Sequence, residues 1–214
     1  MKIFLLILSI IISFLGQAQS SNSEAQIILD EVSDKVNSYE SMILKFRYVL
    51  ENTEENIRQE TSGDITLEGE KYILNILGIT RLYNGESLFT ISPEDEEVTI
   101  SSNNTTEENT ITPSELLSFY KDGYTYDMDI AQNINGRKIQ YIKLTPIDSD
   151  SEIKYVLLGI DLNTKHVYKL IEIGSNDTKT TLTINSFKTN QNLSKKLFKF
   201  DPTKYSDYYI NNLD

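Results

Sequence analysis

Residues 65–100 read ITLEGEKYILNILGITRLYNGESLFTISPEDEEVTI. Apolar side chains return at every second position in Ile65/Leu67, Tyr72/Leu74/Ile76 and Val98/Ile100, and Leu88 to Ile91 is a further short apolar run. A period of two marks a strand with one face turned from water. Between the runs stand Glu68-Gly69, Asn84-Gly85 and Ser92-Pro93. Each is a turn signal, and Asn-Gly supplies the two positive φ angles of a tight hairpin. Hairpins this closely spaced build an antiparallel meander.

The pattern extends in both directions. Upstream, Phe46, Tyr48 and Leu50 alternate with Lys45, Arg47 and Val49, which predicts a strand from Met42, with the charged stretch Glu51 to Glu60 as a loop or hairpin tip. Downstream, strands are predicted at Tyr124 to Met128, Ile139 to Leu144, Tyr155 to Ile160, Val167 to Ile173 and Thr180 to Phe187. Asn135-Gly136 and Asp161-Leu162-Asn163-Thr164 are their turns. Lys196 to Asp201 reads as a last edge strand ended by Pro202, and the tail Tyr205 to Tyr209 has no clear period.

Two segments carry the helical period instead. In Ser21 to Tyr39, Ala25, Ile28, Leu29, Val32 and Val36 form one stripe and Asp30, Glu31, Asp34 and Lys35 the opposite side, so this helix lies on something apolar. In Thr112-Pro113-Ser114-Glu115 the threonine caps, the proline suits the first helical position and the glutamate completes a capping box. Leu116, Leu117, Phe119 and Tyr120 follow, and Gly123 stops the helix. The polar stretch Ser101 to Asn109 before it is a loop.

At the N-terminus, Lys2 precedes the apolar run Ile3 to Leu15 and then Gly16-Gln17-Ala18. That run is short for a membrane anchor, and the small residues fit a signal-peptidase site, so cleavage after Ala18 and export to the periplasm are expected. Residues 19–214 then form a single domain with a sizeable core. Removal of Lys2 leaves 19 basic residues against 32 acidic, a net charge of −13. Such acidity disfavours nucleic acid and anionic lipid surfaces and favours a soluble monomer. The chain has no cysteine, which excludes disulfides, thiol chemistry and Cys-type zinc sites.

Catalysis finds no support in the residue pattern. His166, the single histidine, follows a hairpin turn and has no nucleophile motif beside it. Asp148-Ser149-Asp150-Ser151-Glu152 starts like a calcium loop, but the sixth and twelfth places hold Ile153 and Gly159 where Gly and Glu are needed. Glu94-Asp95-Glu96-Glu97 reads as a charged guard beside a strand. There is no phosphate loop, dinucleotide fingerprint or His/carboxylate metal spacing. No enzyme activity, metal or cofactor is expected.

With these elements in order, the chain resembles the LolA family, periplasmic carriers of outer-membrane lipoproteins. The likeness rests on the opening amphipathic helix and Phe46, then Gln59, Gly63 and Ile65. Asn84-Gly85 follows with Leu88-Phe89, Ile91, Pro93 and Glu97-Val98; then Thr112-Pro113 with Leu116-Leu117 and Tyr120; then Phe198-x-Phe200-Asp201-Pro202. Three features depart from the family pattern. No Arg-Pro stands near Glu68-Gly69-Glu70-Lys71, Phe89 and Ile91 replace a Trp-type aromatic and a Tyr, and the C-terminus lacks Asp-x-Arg.

The resemblance implies an α+β, mainly β fold: an unclosed antiparallel half-barrel with a lid of α-helices over an apolar cavity. It implies a cavity for the acyl chains of lipoproteins, lined by Phe46, Tyr48, Leu50, Ile65, Leu67, Tyr72, Leu74, Phe89, Ile91, Leu116, Leu117 and Tyr120. Its implied partners are acylated lipoproteins as cargo, an inner-membrane ABC transporter and an outer-membrane acceptor. A lipid- or lipoprotein-sensing module of the same fold, without a transport role, is the alternative.

Overall fold

The computed structural model describes residues 22–102 and 119–213. The described residues are mainly β, with twelve strands of mixed direction. Two compact units divide it: Tyr120–Lys179 together with the chain up to Asn37, and Ser38–Phe119 together with Thr180 onward.

In the first unit, helix α1 (residues 22–37) stands with β7 (Tyr124–Ile134), β8 (Arg137–Pro146), β9 (Ile153–Asp161) and β10 (His166–Gly174). The strands lie in the order β10-β9-β8-β7. The helical stripe behaves as its spacing requires: Ala25, Ile28, Leu29, Val32 and Val36 are buried. Each of the four larger side chains is worth roughly 1.5–3 kcal/mol of burial. Lys165 reaches Glu31 at 2.5 Å across the helix surface, a solvated pair of small value. The strand core is Ile142, Leu144, Val156, Leu158 and Ile160, each at most 1% exposed. A bulge interrupts β7 between Met128 and Ala131, and the Gln140 amide donates to the Asp129 carbonyl there at 2.7 Å.

The second unit holds β1 (Ser41–Asn52), β2 (Ile57–Glu68), β3 (Lys71–Ile76), β4 (Ile79–Tyr83), β5 (Ser87–Ser92), β6 (Glu97–Ser102), β11 (Lys179–Thr189) and β12 (Tyr209–Asn212). Their order is β12-β6-β5-β4-β3-β2-β1-β11. Strands β1 to β6 are the antiparallel meander that the turn signals predict.

Several expectations are corrected. The charged segment Glu51 to Glu60 is mostly strand, because β1 and β2 stay paired to Asn52↔Ile57. Opposite charges replace apolar contacts along that arm: Arg47 meets Glu60 at 3.2 Å, and Arg58 pairs with Glu51 and Glu60. Strand β4 lies in a stretch with no predicted strand, turned by Leu77-Gly78 rather than by a polar pair. Lys196 to Asp201 is not a strand. It lies without regular pairing, and Asp201 caps a 3-10 turn, Pro202–Tyr205, through its carboxylate and the Thr203 N–H at 3.1 Å. The final strand is β12 in the tail, parallel to β6, so the sheet is mixed rather than purely antiparallel.

One α-helix is present among the described residues. Of the predicted second helix, Thr112 to Asp122, residues 112–118 lie outside the described part, and its end is a 3-10 turn, Phe119–Lys121. A lid of several helices is therefore not shown. The signal segment, the loop from residue 103 onward, and Leu116 and Leu117 likewise lie outside the described residues.

Candidate functional site

Side chains directly opposite each other in an antiparallel ladder project to the same side, so register assigns every residue of β1 to β6 to one of two faces. Phe46 pairs with Gly63, Leu44 with Ile65 and Met42 with Leu67. Leu67 pairs with Tyr72 and Ile65 with Leu74, and Tyr72 and Leu74 with Tyr83 and Arg81. Tyr83 in turn faces Leu88. No register shift interrupts these ladders. Face A therefore carries Met42, Leu44, Phe46, Tyr48, Leu50, Ile65, Leu67, Tyr72, Leu74 and Leu88.

Phe89 and Ile91 are on the other side. Phe89 pairs with Leu82 and Ile100, and Ile91 with Thr80 and Val98; Leu82 in turn faces Ile73. This is face B. The ten predicted cavity residues among those described thus fall into separate groups. Phe46, Tyr48, Leu50, Ile65, Leu67, Tyr72 and Leu74 share face A. Phe89 and Ile91 sit across the sheet, and Tyr120 belongs to the first unit.

The buried side of the meander changes between β3 and β4. On β1 to β3 Met42, Leu44, Phe46, Ile65, Leu67 and Tyr72 are buried on face A and Val49 on the opposite face of β1, whereas on β4 to β6 Leu82, Phe89, Ile91 and Val98 are all on face B. The cover of face B is identifiable. Phe200 stacks on Phe89 with ring centroids 4.4 Å apart and 12° between planes, Tyr205 stacks on Phe200 at 5.4 Å, and Tyr208 meets Tyr205 edge-on. Such stacks add to plain area burial. Tyr209 N–H then donates to the Glu96 carbonyl at 2.8 Å and Leu213 N–H to the Ile100 carbonyl at 3.0 Å. The C-terminal segment seals face B and occupies the free edge of β6.

Face A is less completely covered. Phe46 lies so close over Gly63 that a β-carbon there would stand 2.6 Å from its ring Cζ, which leaves room for no larger residue. Tyr72 and Tyr83 bring their rings to 5.7 Å. Burial pushes the Tyr72 hydroxyl above its ordinary range, with Arg81 opposing and Tyr83 adding to the rise. Beside this buried centre, Tyr48, Leu50, Leu74, Ile76, Tyr83 and Leu88 are only half-buried. The result is an apolar strip with one cation, Arg81, and no carboxylate of β3 or β4 on it.

Tyr120 is a structural link within the first unit. It is 1% exposed, and its hydroxyl donates to the Leu29 carbonyl of α1 at 3.3 Å. Tyr126 donates to the Tyr120 and Lys121 carbonyls at 2.7 and 3.0 Å. Burial, then Asp30 and Tyr126, pushes the Tyr120 hydroxyl up to about 12. In the same unit Glu172 faces Val156, and burial raises its carboxyl.

His166 is half-buried, and burial, then Lys35, lowers its ring against the opposing pull of Asp161. Among the described residues no group of His, Asp or Glu is placed to hold a metal ion. The aspartates of residues 148–152 form a turn in which Asp148 accepts from the Asp150 N–H at 2.9 Å. Leu82, Val98, Met42 and Leu44 are core residues outside the predicted set. Met42, Leu44 and Val98 lie in strands visible in sequence and Leu82 in one that was not, and the register that sorts them was not visible for any of the four.

The model of the family described as outer membrane lipoprotein carrier protein LolA matches residues 82–201, more than half of the chain. No curated protein matches it. Among solved structures, an uncharacterised conserved protein from Thermus thermophilus is similar, with a TM-score of 0.56 and 11% identity over 88% of this chain and 99% of that one. LprF from Mycobacterium bovis follows at 0.51 and 13%, over 81% and 97%. A LolA superfamily protein from Nitrosomonas europaea has a TM-score of 0.41 and 13% identity, over 82% and 97%. At such identities the two better superpositions speak for fold alone. With more than half of its length, including the Phe89 strand and the Phe198-to-Asp201 segment that covers it, matched by the family model, the chain belongs to the LolA family of outer membrane lipoprotein carrier proteins.

Proposed function

We propose that this chain is a non-enzymatic periplasmic carrier that holds the acyl chains of lipoproteins on face A and takes them from the inner to the outer membrane. The apolar strip of face A, half-buried at Tyr48, Leu50, Leu74 and Ile76 while face B is sealed by the chain's own C-terminus, carries the proposal. Hydrocarbon needs such a surface: at about 0.8 kcal/mol per methylene, the chains of one lipoprotein represent several tens of kcal/mol in water. Phe46 and Tyr72 form the floor, and Arg81 meets the polar ester end of the chains. Loading falls to an inner-membrane ABC transporter and unloading to an outer-membrane acceptor. Release requires that cargo affinity stay modest, which half-buried rather than enclosed contacts provide.

The test is binding of a dansylated fatty acid and of a fluorescent dipalmitoylated peptide by the mature chain. Leu74→Asp and Leu50→Asp should abolish binding of both with the circular dichroism unchanged. Undiminished binding in the two variants would remove face A from the mechanism. Binding followed by transfer between vesicles supports a carrier. Binding with no transfer under any condition reduces the protein to a lipid-binding module.

A further inference from the structure

Neighbouring residues of a regular strand point to opposite sides, but β10 carries a bulge between Val167 and Lys169. Such an irregularity re-aims a side chain, and here Tyr168 meets the residue that follows it. The Lys169 ammonium stands 5.5 Å from the Tyr168 ring centroid, and the Arg137 guanidinium of β8 stands 4.5 Å from it. Two cations are gathered around one ring, in a chain whose net charge is −12. Lys169 faces Gly159, and Gly159 faces Tyr141, so Lys169 lies on the side of the sheet that holds Arg137, Tyr141 and Lys143 of β8. Tyr141 lies over the glycine: a β-carbon on Gly159 would stand 2.8 Å from its ring Cε1. Burial raises the Tyr141 hydroxyl and Tyr168 adds to the rise, so the two rings adjoin.

Further along β8, the Lys143 ammonium stands 4.8 Å from the Tyr155 ring centroid, although Asp127 is directly opposite it on β7. Between these two cation–ring groups, Leu157 and Ile171 face each other across β9 and β10, both half-buried. The other carboxylate on this side, Asp161, opposite Ile139, is buried and accepts from the Asn163 and Thr164 N–H groups of its own turn.

We propose that this side of β8 to β10 docks an extended acidic peptide segment of a partner protein. Its carboxylates meet Arg137 and Lys169 at one end and Lys143 at the other, and aliphatic residues between them rest on Leu157 and Ile171. Three features choose this occupant. Arg137 and Lys143 are roughly 20 Å apart along β8, the reach of about six extended residues and too far for one phosphate or carboxylate. The apolar pair between the cations suits a chain that mixes acidic with aliphatic side chains, not a bare phosphate or sugar acid. A nucleic acid or an anionic bilayer spreads its charge widely and meets the repulsion of 32 acidic residues. A short segment feels only the charges within a screening length of about 8 Å. All of these residues belong to the first unit, and docking on them does not depend on whether face A holds acyl chains.

The probe is a fluorescein-labelled heptapeptide with glutamate at both ends, leucine at the third and fifth positions and serine elsewhere. One side of it then reads acidic, apolar, apolar, acidic. In physiological salt the mature chain should bind it saturably by fluorescence anisotropy. Amide shifts of the ¹⁵N-labelled parent should be confined to β8 to β10, around Tyr141, Leu157 and Tyr168. Arg137→Gln with Lys169→Gln should weaken binding about tenfold, a few-fold for each exposed charge pair removed, with unchanged circular dichroism. Lys138→Gln, which removes a charge from the opposite side of β8 where it faces Asn133, should keep the parent's affinity. Replacing glutamate by glutamine in the peptide should cost as much as the double variant. No saturation up to millimolar protein, shifts outside this face, or an equal loss in Lys138→Gln overturns the proposal. Displacement of the peptide by millimolar inorganic phosphate also overturns it, as does binding to phosphatidylglycerol vesicles without binding of peptide. If the double variant does not fold, the shift map of the parent decides.

Discussion

Replacing Phe89 by alanine is expected to destabilise the second unit and leave acyl-chain binding intact. Phe89 is 8% exposed and stacked at 4.4 Å on Phe200. Truncating a buried phenylalanine costs about 3–5 kcal/mol, through lost transfer energy and the cavity left behind. Of this, about 0.5–1.5 kcal/mol belongs to the ring pair itself. At about 2–4 °C per kcal/mol for a chain of this size, the unfolding midpoint should fall by roughly 6–20 °C. Circular dichroism melts of Phe89→Ala, Phe200→Ala and the double variant form a cycle whose coupling should be about 1 kcal/mol. Titration with dansylated fatty acid, below every melt, should give the parent's affinity in all three. A variant still folded at the titration temperature that has lost binding would place the ligand on face B and refute the assignment of faces. A vanishing coupling would show that the C-terminal segment does not clamp the sheet.

Three further outcomes follow from the geometry. Gly63→Ala should lower the unfolding free energy measured by urea titration by about 1–3 kcal/mol, because the new methyl meets the Asn75 carbonyl oxygen and the Phe46 ring in a site without slack. Leu77→Asn should raise thermal stability by about 1 kcal/mol, since asparagine tolerates the left-handed conformation and leucine does not. Stability should fall on alkaline titration: the Tyr120 hydroxyl is held at about 12 in the folded protein against 10.0 when free. Its contribution is complete below pH 10 and disappears as pH rises through 12. Tyr120→Phe should flatten that limb of a melting-temperature-against-pH curve.

Much of the meander was legible because alternation and turn chemistry act locally. Asn84-Gly85 and Asn135-Gly136 sit at hairpin ends, and the helix buries the predicted stripe. Features that depend on distant partners were not legible. Strand β4 escaped because its turn is formed by leucine, a residue that the rules of turn composition exclude. The outer halves of β1 and β2 escaped because charges pair across them, where period alone suggests a loop. Phe198 and Phe200 carry the alternation of a strand, yet Phe198 is buried outside any ladder and the Phe200 ring serves the aromatic stack. Above all, alternation states that two faces exist and is silent about which residue of one strand shares a face with which of the next. Register alone separates Phe89 from Phe46.

That separation bears on how a chain without cysteines remains folded around an incompletely filled surface. A sheet packed equally on both faces would have no place for hydrocarbon, and one underpacked on both would be unstable, since folding free energy is a small remainder of large terms. Here the requirements are divided by strand and by face. On β4 to β6, Leu82, Phe89, Ile91 and Val98 are buried and Phe200 stacks on Phe89, and β12 caps the edge. These contacts are made within the chain itself. Face A can then keep Tyr48, Leu50, Leu74 and Ile76 half-buried without forfeiting the fold. If the division is real, stability and affinity respond to different substitutions: core truncation on face B moves melting temperatures alone, and charge placed at the margin of face A moves affinity alone. A chain in which every face A variant altered both by corresponding amounts would have one shared core, and the half-buried strip would be imperfect packing rather than a binding surface.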